Sequence, residues 1–227
     1  MTGPLRAAEI RARKGGRRLA MLTAYDYPTA RALDECGLDI LLVGDSLGEV
    51  ELGFDTTRAV TPAMMAHHVR AVRNGVARTH VCGDMPAGAY RSPAEAVETA
   101  RALVAAGADS VKLEGALIPH EAAERIAADA RALDGAGCFA IVIEAVPAEL
   151  AARITGEVAC PTIGIAAGPE CDGQVLVSTD LIGQVPDPPR FVKPKANVYA
   201  AVVRAGREFA DEVRGADAGG EGIARTA

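Results

Sequence analysis

LDILLVGDSLG, residues 38–48, decides the fold. Ile40 to Val43 are four consecutive aliphatic residues with no polar alternation, the signature of a strand covered on both faces, and an acid, Asp45, follows directly behind it. The same instruction returns in HVCGD, ending at Asp84, in SVKLE, ending at Glu114, and in FAIVIE, ending at Glu144. Glycines that can stop a helix, Gly37, Gly107 and Gly137, precede three of these runs. Helix, glycine, buried strand and carboxylate therefore form one repeated unit. In a β/α barrel the groups that do chemistry sit where the strands end, so the four acids are expected to converge.

Outward from these runs, LAMLTAY (19–25), PTIGIA (161–166) and QVLVSTDLI (174–182) read as three further strands. Helix signals fall between the strands. Asp26 with Pro28 opens a helix to Glu35, and Thr61-Pro62 opens another that ends near Gly75. Ser92-Pro93-Ala94-Glu95 predicts a capping box for a helix that stops at Gly107. Residues 120–136, 147–154 and 196–214 complete the series, the last as a long amphipathic helix. Strict alternation predicts a parallel sheet. The expected fold is an α/β TIM-type barrel, although only seven strands are readable where a closed barrel has eight.

The 227 residues suit one barrel domain over 1–215, with a small, polar tail at 216–227 expected to be disordered. Aromatics make up only 4% of the chain and Trp is absent, so the core must be aliphatic and base stacking is disfavoured. The net charge of −6 speaks against general attraction to nucleic acid or to an anionic membrane. Five cysteines without C-x-x-C spacing suit neither a disulfide framework nor a structural zinc site. With neither a signal peptide nor a run long enough to cross a bilayer, the expected compartment is the cytoplasm.

Asp45 and Asp84 are oxygen ligands of the kind Mg²⁺ takes, one or two carboxylates with positions left for water and substrate. An isolated acid after a strand more often caps the next turn; four in phase shift the balance towards a site. Lys112 and Glu114 are two apart on one strand and so share a face, where they either form an ion pair or meet an anionic substrate and a metal. Ser46 could donate to a carboxylate or cap a helix. Glu144 opens into an aliphatic surround that favours its protonated form and makes it a stronger base. His67 and His68 have no ligand-like partner at helical spacing and read as packing or surface residues. GIAAGPECDGQ (164–174) could cradle an anion, but it matches no phosphate-loop pattern.

Taken together, TAYDYPTARALDECGLDILLVGDSLG (23–48), GDMP (83–86), VKLEG (111–115), IEAVPAELAARIT (143–155) and PTIGIAAGPECDGQVLVSTDLIG (161–183) resemble the ketopantoate hydroxymethyltransferase family across most of residues 5–210. The resemblance implies a (β/α)8 barrel of the phosphoenolpyruvate/pyruvate superfamily, Mg²⁺-dependent and homo-oligomeric, decameric in its best-known members. It implies transfer of a hydroxymethyl group from 5,10-methylenetetrahydrofolate to 3-methyl-2-oxobutanoate. By motif, Asp45 and Asp84 would hold the metal with Glu114 in or beside its shell. Asp45, Ser46, Asp84 and Lys112 would bind the keto acid, and Glu144 would be the base.

The sequence departs from the family in one place. VKLEGALIPH runs directly into EAAERIAADARAL, so the family's next strand, of the form GHxGL, and its glycine-rich loop are missing between Gly115 and Glu121. That is one βα unit, roughly 35–40 residues, and none of His67, His68, His80 or His120 replaces its histidine. The protein contains a segment that this sequence does not, or it has lost the unit and its activity, or the barrel closes over the gap; the intact surrounding motifs favour the first. Two alternatives to the transferase stand beside it: a Mg²⁺-dependent carbon–carbon lyase or phosphonomutase of the same superfamily, and a degenerate non-catalytic homologue. The lyase needs a reactive cysteine in a Lys-Lys/Arg-Cys-Gly-His setting, whereas Cys82 is followed by Gly83 and Asp84.

Overall fold

The structure is a computed structural model and describes residues 3–114 and 123–219. Its seven strands are β1 (Leu19–Thr23), β2 (Ile40–Val43), β3 (His80–Met85), β4 (Ser110–Leu113), β5 (Ile141–Glu144), β6 (Thr162–Ile165) and β7 (Gly173–Leu176). The helices are α1 (Ala7–Arg11), α2 (Tyr27–Asp34), α3 (Leu47–Val50), α4 (Pro62–Gly75), α5 (Pro93–Ala106), α6 (Ala123–Gly135), α7 (Ala148–Glu157), α8 (Ser178–Leu181) and α9 (Val198–Gly219). One sheet runs β4-β3-β2-β1-β7-β6-β5 and every pairing is parallel. The eighth strand of a closed barrel does not occur among the described residues, and β4 and β5 are edges. The break therefore falls where the sequence lacks a βα unit.

Local chemistry accounts for the helix ends. Asp26 accepts from Thr29 N at 2.8 Å at the start of α2, Thr61 accepts from Met64 N at 3.3 Å at α4, and Ser92 accepts from Glu95 N at 3.2 Å at α5. The box at α5 is not the reciprocal one expected: Glu95 Oε2 accepts from Arg91 N at 2.9 Å, one residue before the cap, because its carboxylate also pairs with the Arg91 guanidinium. Gly107 closes α5 with φ of 118°, and a Cβ there would lie 2.5 Å from Arg73 Cγ, so both backbone and space demand glycine. The helix expected from 120 is described only from Ala123, and residues 115–122 lie outside the described part. The run at 174–182 is a shorter strand than expected, because the chain turns into α8 at Ser178.

At the ends where strands begin, acids stitch one unit to the next. Asp39 accepts from Ala20 N, Asp109 from Val81 N and Asp172 from Thr162 N, each at 2.9 Å, while Asp34 takes the N–H groups of Ala77, Arg78 and Thr79. Burial divides each strand by face. Leu19, Met21, Ile40, Leu42, Cys82, Ile163 and Val175 fill the inner side with Ile10 of α1 among them. Leu41, Val43 and Val81 pack outward against Met65, Val69 and Val72 of α4 and Leu103 of α5. Around β5, Ile141 and Ile143 meet Ala127 and Ala130 of α6 and Ala151 and Ile154 of α7. Both faces of the sheet are thus apolar, which is why the strands read as unbroken aliphatic runs.

The described residues up to Ser178 form one compact unit and those from Thr179 a second. Within the second, Lys195 N donates to Leu181 O at 2.7 Å, and Gly183, with φ of 64°, packs so tightly that a Cβ would lie 2.3 Å from Ala196 O. Helix α9 runs to Gly219, past the expected end at 214, and residues 220–227 of the expected tail lie outside the described part. Among the described residues, no helix is long and apolar enough to cross a membrane.

Candidate active site

The site stands at the C-terminal ends of β2, β3, β4 and β5. The register sets Val43 beside Gly83 and Asp84 beside Lys112, which brings Asp45, Asp84, Lys112 and Glu114 to one rim. Carboxylate oxygens of Asp45, Asp84 and Glu114 all lie within 4.8 Å of one another. Lys112 Nζ donates to Asp84 Oδ2 at 2.7 Å and also pairs with Glu114 Oε1. Asp45 N points at Asp84 Oδ2 from 3.4 Å. The other oxygen, Asp84 Oδ1, is buried and has no hydrogen-bond partner among the described residues. An orphaned carboxylate oxygen in a side chain only 1% exposed is costly unless a cation completes it. Three hard oxygens with one unpaired fit a divalent ion such as Mg²⁺.

The electrostatics follow from this crowding. Burial, followed by the Asp45 and Glu114 charges, pushes the Asp84 carboxyl up to about 7 in spite of Lys112. Burial and Glu114 raise Asp45, against Lys112 and the Thr57 hydroxyl that holds its charged form. Burial opposes charge on Lys112, but Asp84 and Glu114 outweigh it and lift the ammonium above its ordinary value. Glu144 ends β5 on the far side of the break. Burial raises its carboxyl, Lys112 opposes the rise, and Glu114 and Asp45 add to it, so Glu144 feels the same charges as the cluster.

Ser46 precedes α3 in helical backbone but accepts no capping hydrogen bond; its Oγ lies 2.8 Å from the Tyr25 phenol oxygen. Gly44 leaves room for it, since a Cβ there would sit 2.9 Å from Ser46 Oγ. His68 Nδ1 is engaged by Tyr25 O at 2.7 Å, a packing role in line with its sequence reading. The glycine-rich stretch 164–174 is explained by close contact rather than by a ligand: Gly173 packs against Leu19 O, Gly164 against Cys171 Sγ, and Asp172 is bound to Thr162 and Lys14. Cys82 is buried in the inner core, and burial pushes its thiol up to about 11, far from a nucleophile.

Three residues near the site carried no signal read in the sequence. Thr57, from a short 3-10 turn at Thr57–Ala59, favours the charged form of Asp45; Tyr25 holds Ser46; and the Tyr90 phenol is raised by burial and then by Glu114 and Asp84. Tyr25 follows a strand, a position that could have flagged it. Thr57 and Tyr90 lie in connections whose path local sequence does not dictate.

The sequence model of a family described as ketopantoate hydroxymethyltransferase matches residues 5–120 and 118–218. The chain belongs to the ketopantoate hydroxymethyltransferase family. A 3-methyl-2-oxobutanoate hydroxymethyltransferase of Ignicoccus hospitalis is 43% identical over 247 residues, covering 92% of this chain and 94% of the relative. One of Oleidesulfovibrio alaskensis is 44% identical over 253 residues, covering 94% and 88%. Both alignments are longer than the 227-residue chain, so this sequence lacks positions that its relatives fill. The match resumes where it breaks off, at 118–120, in the stretch of sequence that follows β4.

Among solved structures, 2,3-dimethylmalate lyase, a PEP mutase/isocitrate lyase superfamily member, superposes with a TM-score of 0.62 at 16% identity, covering 97% of this chain and 91% of the lyase. Phosphonopyruvate hydrolase gives 0.63 at 13% identity, covering 94% and 87%. At these identities the likeness concerns the fold, a parallel β/α sheet of the TIM-barrel kind, here with seven strands.

Proposed function

We propose that the chain transfers a hydroxymethyl group from 5,10-methylenetetrahydrofolate to 3-methyl-2-oxobutanoate, giving 2-dehydropantoate and tetrahydrofolate. The observation that carries this reading is the carboxylate cluster within 4.8 Å, with Asp84 Oδ1 unpaired among the described residues and Glu144 in electrostatic range. Asp45, Asp84 and Glu114 would hold Mg²⁺. Bound there, Mg²⁺ supplies Lewis acidity towards the keto and carboxylate oxygens of the substrate, which makes the C3 proton acidic enough for a carboxylate to remove.

The chain's own groups do the rest. Lys112 and Ser46 meet the substrate carboxylate, while Asp45 and Asp84 fix the orientation of the keto acid. Glu144 takes the proton from C3 and the electron pair moves into the C2–O group. The pair then returns from the C2–O group to form the bond between C3 and the one-carbon unit. The two bonds of that unit to folate nitrogen are replaced by this C–C bond and by a bond to the oxygen of water, while the nitrogens take up the proton held by Glu144 and the one released from water. Raised basicity at Glu144 suits this step, because the proton must leave a carbon acid. A homo-oligomeric assembly belongs to the same reading.

The test is exchange of the C3 proton of 3-methyl-2-oxobutanoate into heavy water with Mg²⁺ present. Glu144→Gln is expected to abolish exchange and leave Mg²⁺ affinity nearly unchanged. Exchange at the wild-type rate in that variant would remove Glu144 as the base. Calorimetry separates an enzyme from a degenerate homologue: absence of any metal-dependent heat with the keto acid would leave only the latter.

A further inference from the structure

Tyr25 is 1% exposed and packed in the outer core with Val43, Leu47 and Met65. Its backbone is clamped on two sides, because His68 Nδ1 meets Tyr25 O at 2.7 Å and the preceding Ala24 N donates to Leu42 O at 2.9 Å. A ring held this firmly would fill its place as phenylalanine. The hydroxyl instead reaches Ser46 Oγ at 2.8 Å, and Gly44 keeps that space open. A buried hydroxyl is costly unless it is bonded, and the contact with Ser46 Oγ is one bond that satisfies it.

We infer that Tyr25 is a positioning residue for substrate binding: its phenol donates to Ser46 Oγ and fixes the Ser46 hydroxyl to donate its own proton to an anionic substrate oxygen. Ser46 has one proton. Facing a carboxylate, it must give that proton to the anion, and the hydrogen bond between the two hydroxyls then runs from Tyr25 to Ser46. A donor placed behind Ser46 also polarises its O–H and strengthens the bond it makes. This inference rests on the reading of Ser46 as a contact of the keto-acid carboxylate.

The experiment is a double-mutant cycle on binding of 3-methyl-2-oxobutanoate at saturating Mg²⁺, measured by calorimetry on the full chain. Tyr25→Phe is expected to weaken binding by about tenfold, with Mg²⁺ affinity unchanged. Ser46→Ala is expected to weaken it at least as much, and the double variant no further than Ser46→Ala alone, because Tyr25 acts through Ser46. In turnover, Tyr25→Phe raises KM more than it lowers kcat. Additive losses would overturn the inference, as would a Tyr25→Phe protein that binds like wild type or one that fails to fold, since the last would assign the hydroxyl to the core. A Ser46→Ala protein that binds like wild type removes the parent reading of Ser46, whereas loss in Ser46→Ala without loss in Tyr25→Phe removes only the role of Tyr25.

Discussion

Lys112 Nζ stands 2.7 Å from Asp84 Oδ2, both side chains are largely buried, and the ammonium also pairs with Glu114. Lys112 is therefore the counter-ion that lets three acids share one rim without a metal. A cation bound between Asp45, Asp84 and Glu114 would take over that neutralisation and free the lysine for an anionic substrate.

Removing the lysine should expose this exchange of partners. In Lys112→Met the cluster keeps three carboxylates without the counter-charge of Lys112, and breaking such a buried pair costs about 3 kcal/mol or more. The thermal midpoint is expected to fall in chelator and to recover with Mg²⁺. A midpoint that does not respond to Mg²⁺ would argue against a cation site here.

Asp84→Asn tests the ligand set from the other side. The amide keeps the shape but offers a weaker oxygen, so the Mg²⁺ concentration for half-maximal activity should rise by at least about tenfold. Unaltered Mg²⁺ dependence would remove Asp84 from the shell.

His80 predicts an acid-side loss of stability. Its ring is buried between Leu5 O and Ser110 Oγ, and burial lowers its pKa below the ordinary 6.5. Below pH 6.5 the unfolded chain binds a proton the folded chain refuses, so this group's contribution to stability is full above that pH and is lost as pH falls towards the lowered value. Asp84, raised to about 7 chiefly by burial, works in the opposite direction over the same range, so the His80 contribution is read as the difference in chemical denaturation between wild type and His80→Gln from pH 7.5 to 5. The carboxylates Asp34 and Asp172, lowered by their backbone N–H partners against burial, act only further down, below their ordinary 3.8.

Backbone strain gives a pair of opposite outcomes. Ala166 has φ of 50°, a left-handed conformation that glycine adopts freely, so Ala166→Gly should stabilise by up to about 1 kcal/mol. Gly107→Ala combines φ of 118° with the Arg73 side chain and should destabilise by more than about 1 kcal/mol. Thermal unfolding of the two variants decides both.

Much was legible because the strands are short and covered on both sides. In Ile40–Val43 a continuous aliphatic run, a preceding glycine and a following acid together fix strand, boundaries and rim, and the same logic placed Asp84, Glu114 and Glu144. The break between β4 and β5 was visible as a missing unit. Tyr25, Thr57 and Tyr90 were not, since each reaches the site through a connection or a core position that only packing defines.

By itself, then, the sequence determined the alternation of helix and buried strand, the acids at the strand ends and the membership of a family, because periodicity and motif are properties of the linear chain. The tertiary structure alone decided that Asp84 Oδ1 is left without a partner among the described residues, that Lys112 takes the place of a counter-ion, and that Ser46 leans on Tyr25 rather than capping a helix. Those facts depend on which side chains the parallel register brings within reach of one another, and register is set by the packing of the whole sheet.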